Sequence, residues 1–424
     1  MIFTLAGIKS VIMALCILLG FGSGSLDVKS EVLITELELT DVDISQGYTA
    51  EVPKSSGRIK FNRLSFSYEA SAPVRIVFTY KRGLKTFKEE LLLSSKENAS
   101  SMLIDGYLNK KFASRLISIF LEPIVSKEPC SVSISGFTCD LQSVPKQNTL
   151  YIENERYRAG IKLNWGGGLS YFADKKNDLY DNLLNCHDTG RLVQQSFYGP
   201  IEIEGYENGI YNDNVWNYNP VQGGDQYGNT SKLVALEKTD EQLKVVCRPL
   251  DWALDNVPTQ TYYTSVYTLT KTGLSAENTA VDFLQSEWIP RVQEIPAFYT
   301  ISAFGNFVFY NGNAPWTNAP LQVETNLPFW DKQPYFDLNE KNDETWCAWT
   351  DETGYGIGLF TPIAKSLLAG RYSYNGSSDA ENNATNYVAP LCSFVLNFDE
   401  PFTYQFHLTS GTVDEIRNTF KNIR

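Results

Sequence analysis

The chain has 424 residues, of which 43% are hydrophobic, and a formal net charge of −13. It is too long for one ordinary core, so two domains are expected. Its acidity excludes nucleic acid as a partner, because phosphate binding needs lysine and arginine to replace counterions.

The N-terminus, "MIFTLAGIKSVIMALCILLGFGSGSLDV", sets Lys9 ahead of an apolar run that ends in small residues. That layout predicts a signal peptide over residues 1–25, and hence an exported chain with no membrane contact after cleavage. The run is short for a bilayer span, and no later segment approaches one. Residues 26–145 follow as short runs of alternating apolar and polar residues, such as "PVRIVFTY" and "CSVSISGFTC". Period-2 alternation broken by Gly, Ser, Pro and Asn clusters predicts an antiparallel N-terminal β-sandwich, an accessory domain. The polar stretch 142–150, "QSVPKQNTL", reads as the linker.

From residue 146 to 424 the composition shifts toward Trp, Asn and Gly, and strand-like pieces recur with long loops between them. Hairpin turns are expected at Lys271-Thr272-Gly273 and over 351–354, where glycine supplies positive φ. One helix closes the chain, with Thr412 as its cap and Glu415 completing a capping box ahead of Ile416. The fold class is therefore all-β: an N-terminal β-sandwich, then a large antiparallel supersandwich that carries the chemistry. Six cysteines follow the leader, none in a C-x-x-C pair, and the chain has only two histidines, so neither a metal site nor a cofactor is expected.

Four motifs lie in the second part: "HDTGRLVQQSFYG", "WNYNPVQGGDQYGN", "PLDWALDNVP" and "RVQEIPAFYT". Together with "AGIKLNWGGGLSYFADKKNDLYDNLLN", they resemble the galactose mutarotase-like supersandwich family of exported, carbohydrate-active bacterial proteins. The resemblance covers roughly residues 151 to 424 and implies a glycan as substrate. It does not select a reaction, since the fold hosts hexose epimerases, polysaccharide lyases and parts of glycoside hydrolases. Mutarotases use two histidines and a carboxylate around the sugar. Here only His187 lies in a motif, and His407 alternates with apolar residues on a strand, as a packed residue would.

Glycoside hydrolysis needs two carboxyl groups, one kept protonated as acid. Glu294, flanked by apolar residues, suits the acid; its alternative is a pair with Arg291. Asp188 or Asp225 would be its partner, against a bland reading of both as turn residues. Asp255 would bind sugar hydroxyls or stabilise a turn. A lyase would instead use His187 as base, Arg191 to neutralise a uronate and Tyr198 as acid or base; Arg191 could equally pair with Asp188. Trp165, Trp216, Trp252 and Trp288 are candidate stacking platforms, and Gln194, Gln195, Asn217 and Asn219 candidate hydroxyl ligands. A non-catalytic glycan-binding protein would use the same aromatics without an acid–base pair.

Overall fold

The computed structural model describes residues 37–52, 61–104, 114–125, 129–144, 147–177, 179–286, 289–325, 327–328, 334–340 and 342–424, with the backbone of Leu33–Ile34. The expected leader over 1–25 and Trp288 lie outside the described residues.

The protein is nearly all-β, and the alternating runs read from the sequence form antiparallel strands. Residues 33–140 make a five-stranded and a four-stranded sheet. Strict alternation in the strand Val74–Arg82 sends Val74, Ile76, Phe78 and Tyr80 into the core between them. That core also takes in Val234, Tyr262, Val281 and Phe283 from the larger part of the chain. Ion pairs cross the same boundary, Arg248 to Glu90 at 2.8 Å and Lys232 to Glu89. The two parts therefore share a packed interface.

The larger part is built on a nine-stranded sheet, centred on Thr261–Thr270, Gly273–Asp282 and Phe402–Thr412, and a seven-stranded sheet centred on Arg291–Ile301 and Thr385–Phe394. Their facing side chains, among them Tyr263, Phe298, Trp349, Val388 and Phe406, form one large core. Gly273 ends the expected hairpin at φ +150°, where an added Cβ would sit 1.9 Å from the Leu408 carbonyl oxygen. At the second hairpin, Asp351 Oδ1 accepts from the backbone N–H groups of Thr353 and Tyr355, and Gly354 takes φ 81°.

Among the described residues there is one α-helix, Val413–Ile423, and none is long and apolar enough to cross a membrane. Its capping box joins Thr412 and Glu415, and Ile416 and Phe420 are buried. Arg417 anchors it through a bidentate pair to the fully buried Glu344, at 2.6 and 3.0 Å. His407 lies on the neighbouring strand stacked on Phe360, and burial lowers its pKa. The six described cysteines are free thiols, five of them buried.

Candidate functional site

The strand Gln194–Ser196 hydrogen-bonds along Arg291–Ile301, which pairs on its other side with Thr385–Phe394. Ser196 stands opposite Glu294, and Tyr299 opposite Tyr387. Register shifts interrupt both pairings near Glu294, and the Ile295–Pro296 peptide is cis. On this face opens a cleft of about 360 Å³, lined by Asp188, Arg191, Tyr198, Trp216, Trp252, Glu294, Tyr299 and Tyr387 among others.

Glu294 is buried, at 7% exposure. Tyr387 donates its hydroxyl to Glu294 Oε1 at 2.6 Å, and Tyr198 donates to the same oxygen at 3.0 Å. Glu294 Oε2 has no hydrogen-bond partner among the described residues. Burial raises the Glu294 pKa, and the two phenols, which favour the carboxylate, offset part of that rise. The same burial, with the Glu294 charge beside them, pushes both phenols well above the ordinary tyrosine value. Arg291 does not pair with Glu294; it donates to the Gly199 carbonyl at 2.7 Å.

Asp188 also lines the cleft. Its Oδ1 accepts from the Gly190 N–H at 3.0 Å, the Asx-type turn that the Asp-Thr-Gly sequence suggested, while Oδ2 lies 3.2 Å from Arg191 Nε. Arg191 also donates to the Asn383 carbonyl and side-chain oxygen. This segment is stitched to the loop at 222–229. Gln194 donates to the Gly190 carbonyl at 2.8 Å and accepts from the Gly223 N–H at 2.8 Å. Gly223 is required there, because a Cβ would lie 2.0 Å from the Thr189 carbonyl oxygen.

The aromatic side comes from two loops held by one carboxylate. Asp251 accepts from the Asn219 and Ala253 N–H groups and from the Tyr206 hydroxyl, at 2.8 to 3.0 Å. That fixes Trp216 and Trp252, which meet Tyr211 edge-on with ring centroids 5.0 and 5.6 Å apart. Trp216 donates its indole N–H to Asn219 at 3.1 Å, and Asn219 donates to the Ser196 hydroxyl at 3.2 Å.

Several expected site residues stand elsewhere. Asp225 does not line the cleft: it is fully buried, and its carboxylate accepts from the N–H groups of Tyr227, Asn229 and Asn256 and from the Asn229 amide. Four donors, three from its own loop and one from Asn256 in the neighbouring loop, make it an organiser of these loops rather than a partner for Glu294. Asp255 is exposed beyond it and accepts from Asn229. Gln195 faces the core side of the sheet and donates to the Thr264 carbonyl and Ser265 hydroxyl. Trp165 lies outside the cleft under Lys162, whose ammonium is 4.0 Å from the ring centroid. His187 is exposed, and its Nδ1 bonds the Glu381 carbonyl at 2.7 Å, so its ring is not part of the lining. Asn217 donates to the Gly199 carbonyl and lines a neighbouring hollow. Conversely, Tyr211, Tyr299 and Tyr387 belong to the cleft; Tyr211 and Tyr387 fall in none of the four motifs, and Tyr299, near the end of "RVQEIPAFYT", was not singled out. Among the described residues, no three His, Cys, Asp or Glu side chains are grouped to hold a metal.

No protein-family model matches the chain, and no curated protein matches it. Solved structures similar to it include galactose mutarotase-like proteins. One from Lactobacillus casei ATCC 334 is 12% identical, covering 62% of this chain and 100% of its own, with a TM-score of 0.39. A galactose mutarotase related enzyme from Lactobacillus acidophilus is 11% identical over 62% and 97%, with a TM-score of 0.38. A galactose mutarotase-like protein from Clostridium acetobutylicum is 10% identical over 62% and 95%, with a TM-score of 0.36.

Proposed function

We propose that the protein is a glycoside hydrolase, in which Glu294 is the general acid and Asp188 the second carboxylate. The observation that carries this is the free Oε2 of Glu294 in an aromatic cleft, on a carboxyl whose pKa is raised by burial. With both phenols donating to Oε1, the proton belongs on Oε2 and is available to the glycosidic oxygen. The proton passes to that oxygen as its bond to the anomeric carbon breaks. Asp188 then either attacks that carbon or takes the proton of an attacking water. Trp216, Trp252 and Tyr211 offer flat faces to a pyranose ring. Ser196 can donate its hydroxyl to the substrate.

A lyase fits less well. Arg191 and Tyr198 line the cleft, but the expected base, His187, does not. A tyrosine pushed far above its ordinary value beside a carboxylate is a poor base at neutral pH. Export is part of the proposal and rests on the sequence of residues 1–25; the accessory role of residues 26–145 is too.

The test is incubation with a panel of poly- and oligosaccharides, reading reducing ends and ultraviolet absorbance of unsaturated uronates together. New reducing ends without the absorbance are expected. Both signals together would establish a lyase. Retention on a glycan gel with neither signal would leave a binding protein.

A further inference from the structure

A second hollow, of about 390 Å³, adjoins the cleft and is lined by Tyr198, Asn217, Ile289, Pro290, Arg291 and Val292. Tyr198 lines both, and its hydroxyl reaches Glu294 at 3.0 Å, so the hollow and the proposed acid share a neighbour. Tyr198 is itself fixed, its N–H donating to Gln293 Oε1 at 2.7 Å and its carbonyl accepting from Gln293 Nε2 at 2.9 Å.

The lining has a distinct chemistry. Ile289 and Val292 are 59% and 47% exposed, an apolar surface left open to water beside Pro290. Arg291 sits among them. Its Nη1 donates to the Gly199 carbonyl at 2.7 Å, which holds the guanidinium in place. Nε and Nη2 have no partner, and no ion pair engages this arginine among the described residues. The other arginine of the region, Arg191, is already paired with Asp188 at 3.2 Å. In a chain of net charge −13, an arginine anchored on one edge and uncompensated on the other is a local exception to the surrounding field. An anchored guanidinium suits bidentate recognition of a planar or tetrahedral anion.

We propose that this hollow is a subsite for the sugar next to the one held over Glu294, and that it selects a sugar bearing an anionic substituent. The apolar rim takes one face of the ring, Arg291 takes the carboxylate or sulfate ester, and the Asn217 side-chain oxygen accepts from a hydroxyl. The substrate class is thus an acidic oligosaccharide of at least two rings. This rests on the glycan reading of the adjoining cleft.

The test measures binding without turnover, using the full chain with Glu294→Gln and calorimetry. The probes are oligogalacturonides of one to four rings, their carboxyl-reduced neutral counterparts, and sulfated and desulfated carrageenan oligosaccharides of the same lengths. Expected is preference for one acidic series at two rings or more, weakened by salt and lowered roughly tenfold or more by Arg291→Ala. Binding of a neutral single ring, where seen, is unchanged by that substitution. Preference for the uronates identifies a carboxylate, and preference for the sulfated series identifies a sulfate ester. Equal binding of acidic and neutral chains, no effect of Arg291→Ala, or no binding of any probe overturns the proposal. Its failure is distinct from that of the hydrolase reading: cleavage of neutral glycans with no charge preference would sink only the subsite. Selective binding of acidic chains with no cleavage by the wild type would sink only the hydrolase.

Discussion

Replacing Tyr387 by Phe removes one hydroxyl and leaves the ring, which packs on Tyr299 with centroids 4.8 Å apart. The lost bond is the shorter of the two to Glu294 Oε1, 2.6 Å against 3.0 Å from Tyr198. A hydrogen bond to a charged group is worth about 1.5–3 kcal/mol, and the ionised carboxylate loses more of it than the protonated acid. Each ~1.4 kcal/mol is a tenfold change in equilibrium, so protonation of Glu294 should gain roughly ten- to a hundredfold. The direction follows from the causes: burial raises this pKa and the phenols lower it, so removing a phenol raises it further. A carboxyl with a raised folded pKa contributes stability that is present below its unfolded pKa and lost as pH rises through the folded one. In Tyr387→Phe that loss moves to higher pH. Side-chain carbon NMR of labelled glutamate would follow the titration directly. In a pH–rate profile, the alkaline limb, where the acid loses its proton, should move the same way. Tyr198→Phe should give a smaller shift of the same sign. An unchanged or lowered Glu294 titration in Tyr387→Phe would refute the assignment of the phenols as its hydrogen-bond donors.

Arg417→Met should destabilise the fold by about 3–5 kcal/mol, since it strands the buried Glu344 charge; Arg417→Met with Glu344→Gln should recover part of this in chemical denaturation. Burial lowers the His407 pKa, so its contribution is fully present above the ordinary imidazole value of 6.5 and is lost as pH falls through the folded value. His407→Phe should therefore flatten the decline of the urea midpoint below that pH, relative to wild type. Gly223→Ala forces a Cβ against the Thr189 carbonyl oxygen, 2.0 Å away. It should lower the melting temperature and abolish ligand binding together, as measured by thermal shift with and without a bound oligosaccharide.

Period, turn and cap signals made the fold readable. Alternation placed the strands, Gly273 ended its hairpin, and Thr412 with Glu415 marked the one helix. The cleft was readable where a motif supplied its residues: Asp188, Arg191, Gln194, Tyr198, Trp216, Trp252 and Glu294 all line it. What the motifs could not give is the side of the sheet or loop on which a side chain falls. Gln194 and Gln195 are neighbours on one strand, so they face opposite ways; one lines the cleft and the other reaches Ser265 in the core. Asp225 and Asp188 occupy similar glycine-flanked turns, yet one carboxylate is consumed by donors of its own and the adjoining loop and the other borders the cleft. Tyr387 lies on a different strand from Glu294, and only the pairing of those strands brings its hydroxyl to that carboxyl. Such partners are set by register across the sheet, which no local stretch encodes.

The central claim is that Glu294 gives a proton to the leaving sugar, and the most direct measurement compares two leaving groups in Glu294→Gln. On an oligosaccharide that the wild type cleaves, turnover should fall by about 10²–10⁴. On the matching 2,4-dinitrophenyl glycoside, whose leaving group departs without a proton, turnover should be largely kept. Equal losses on both substrates, or full activity on the oligosaccharide, would contradict the assignment of Glu294 as the acid.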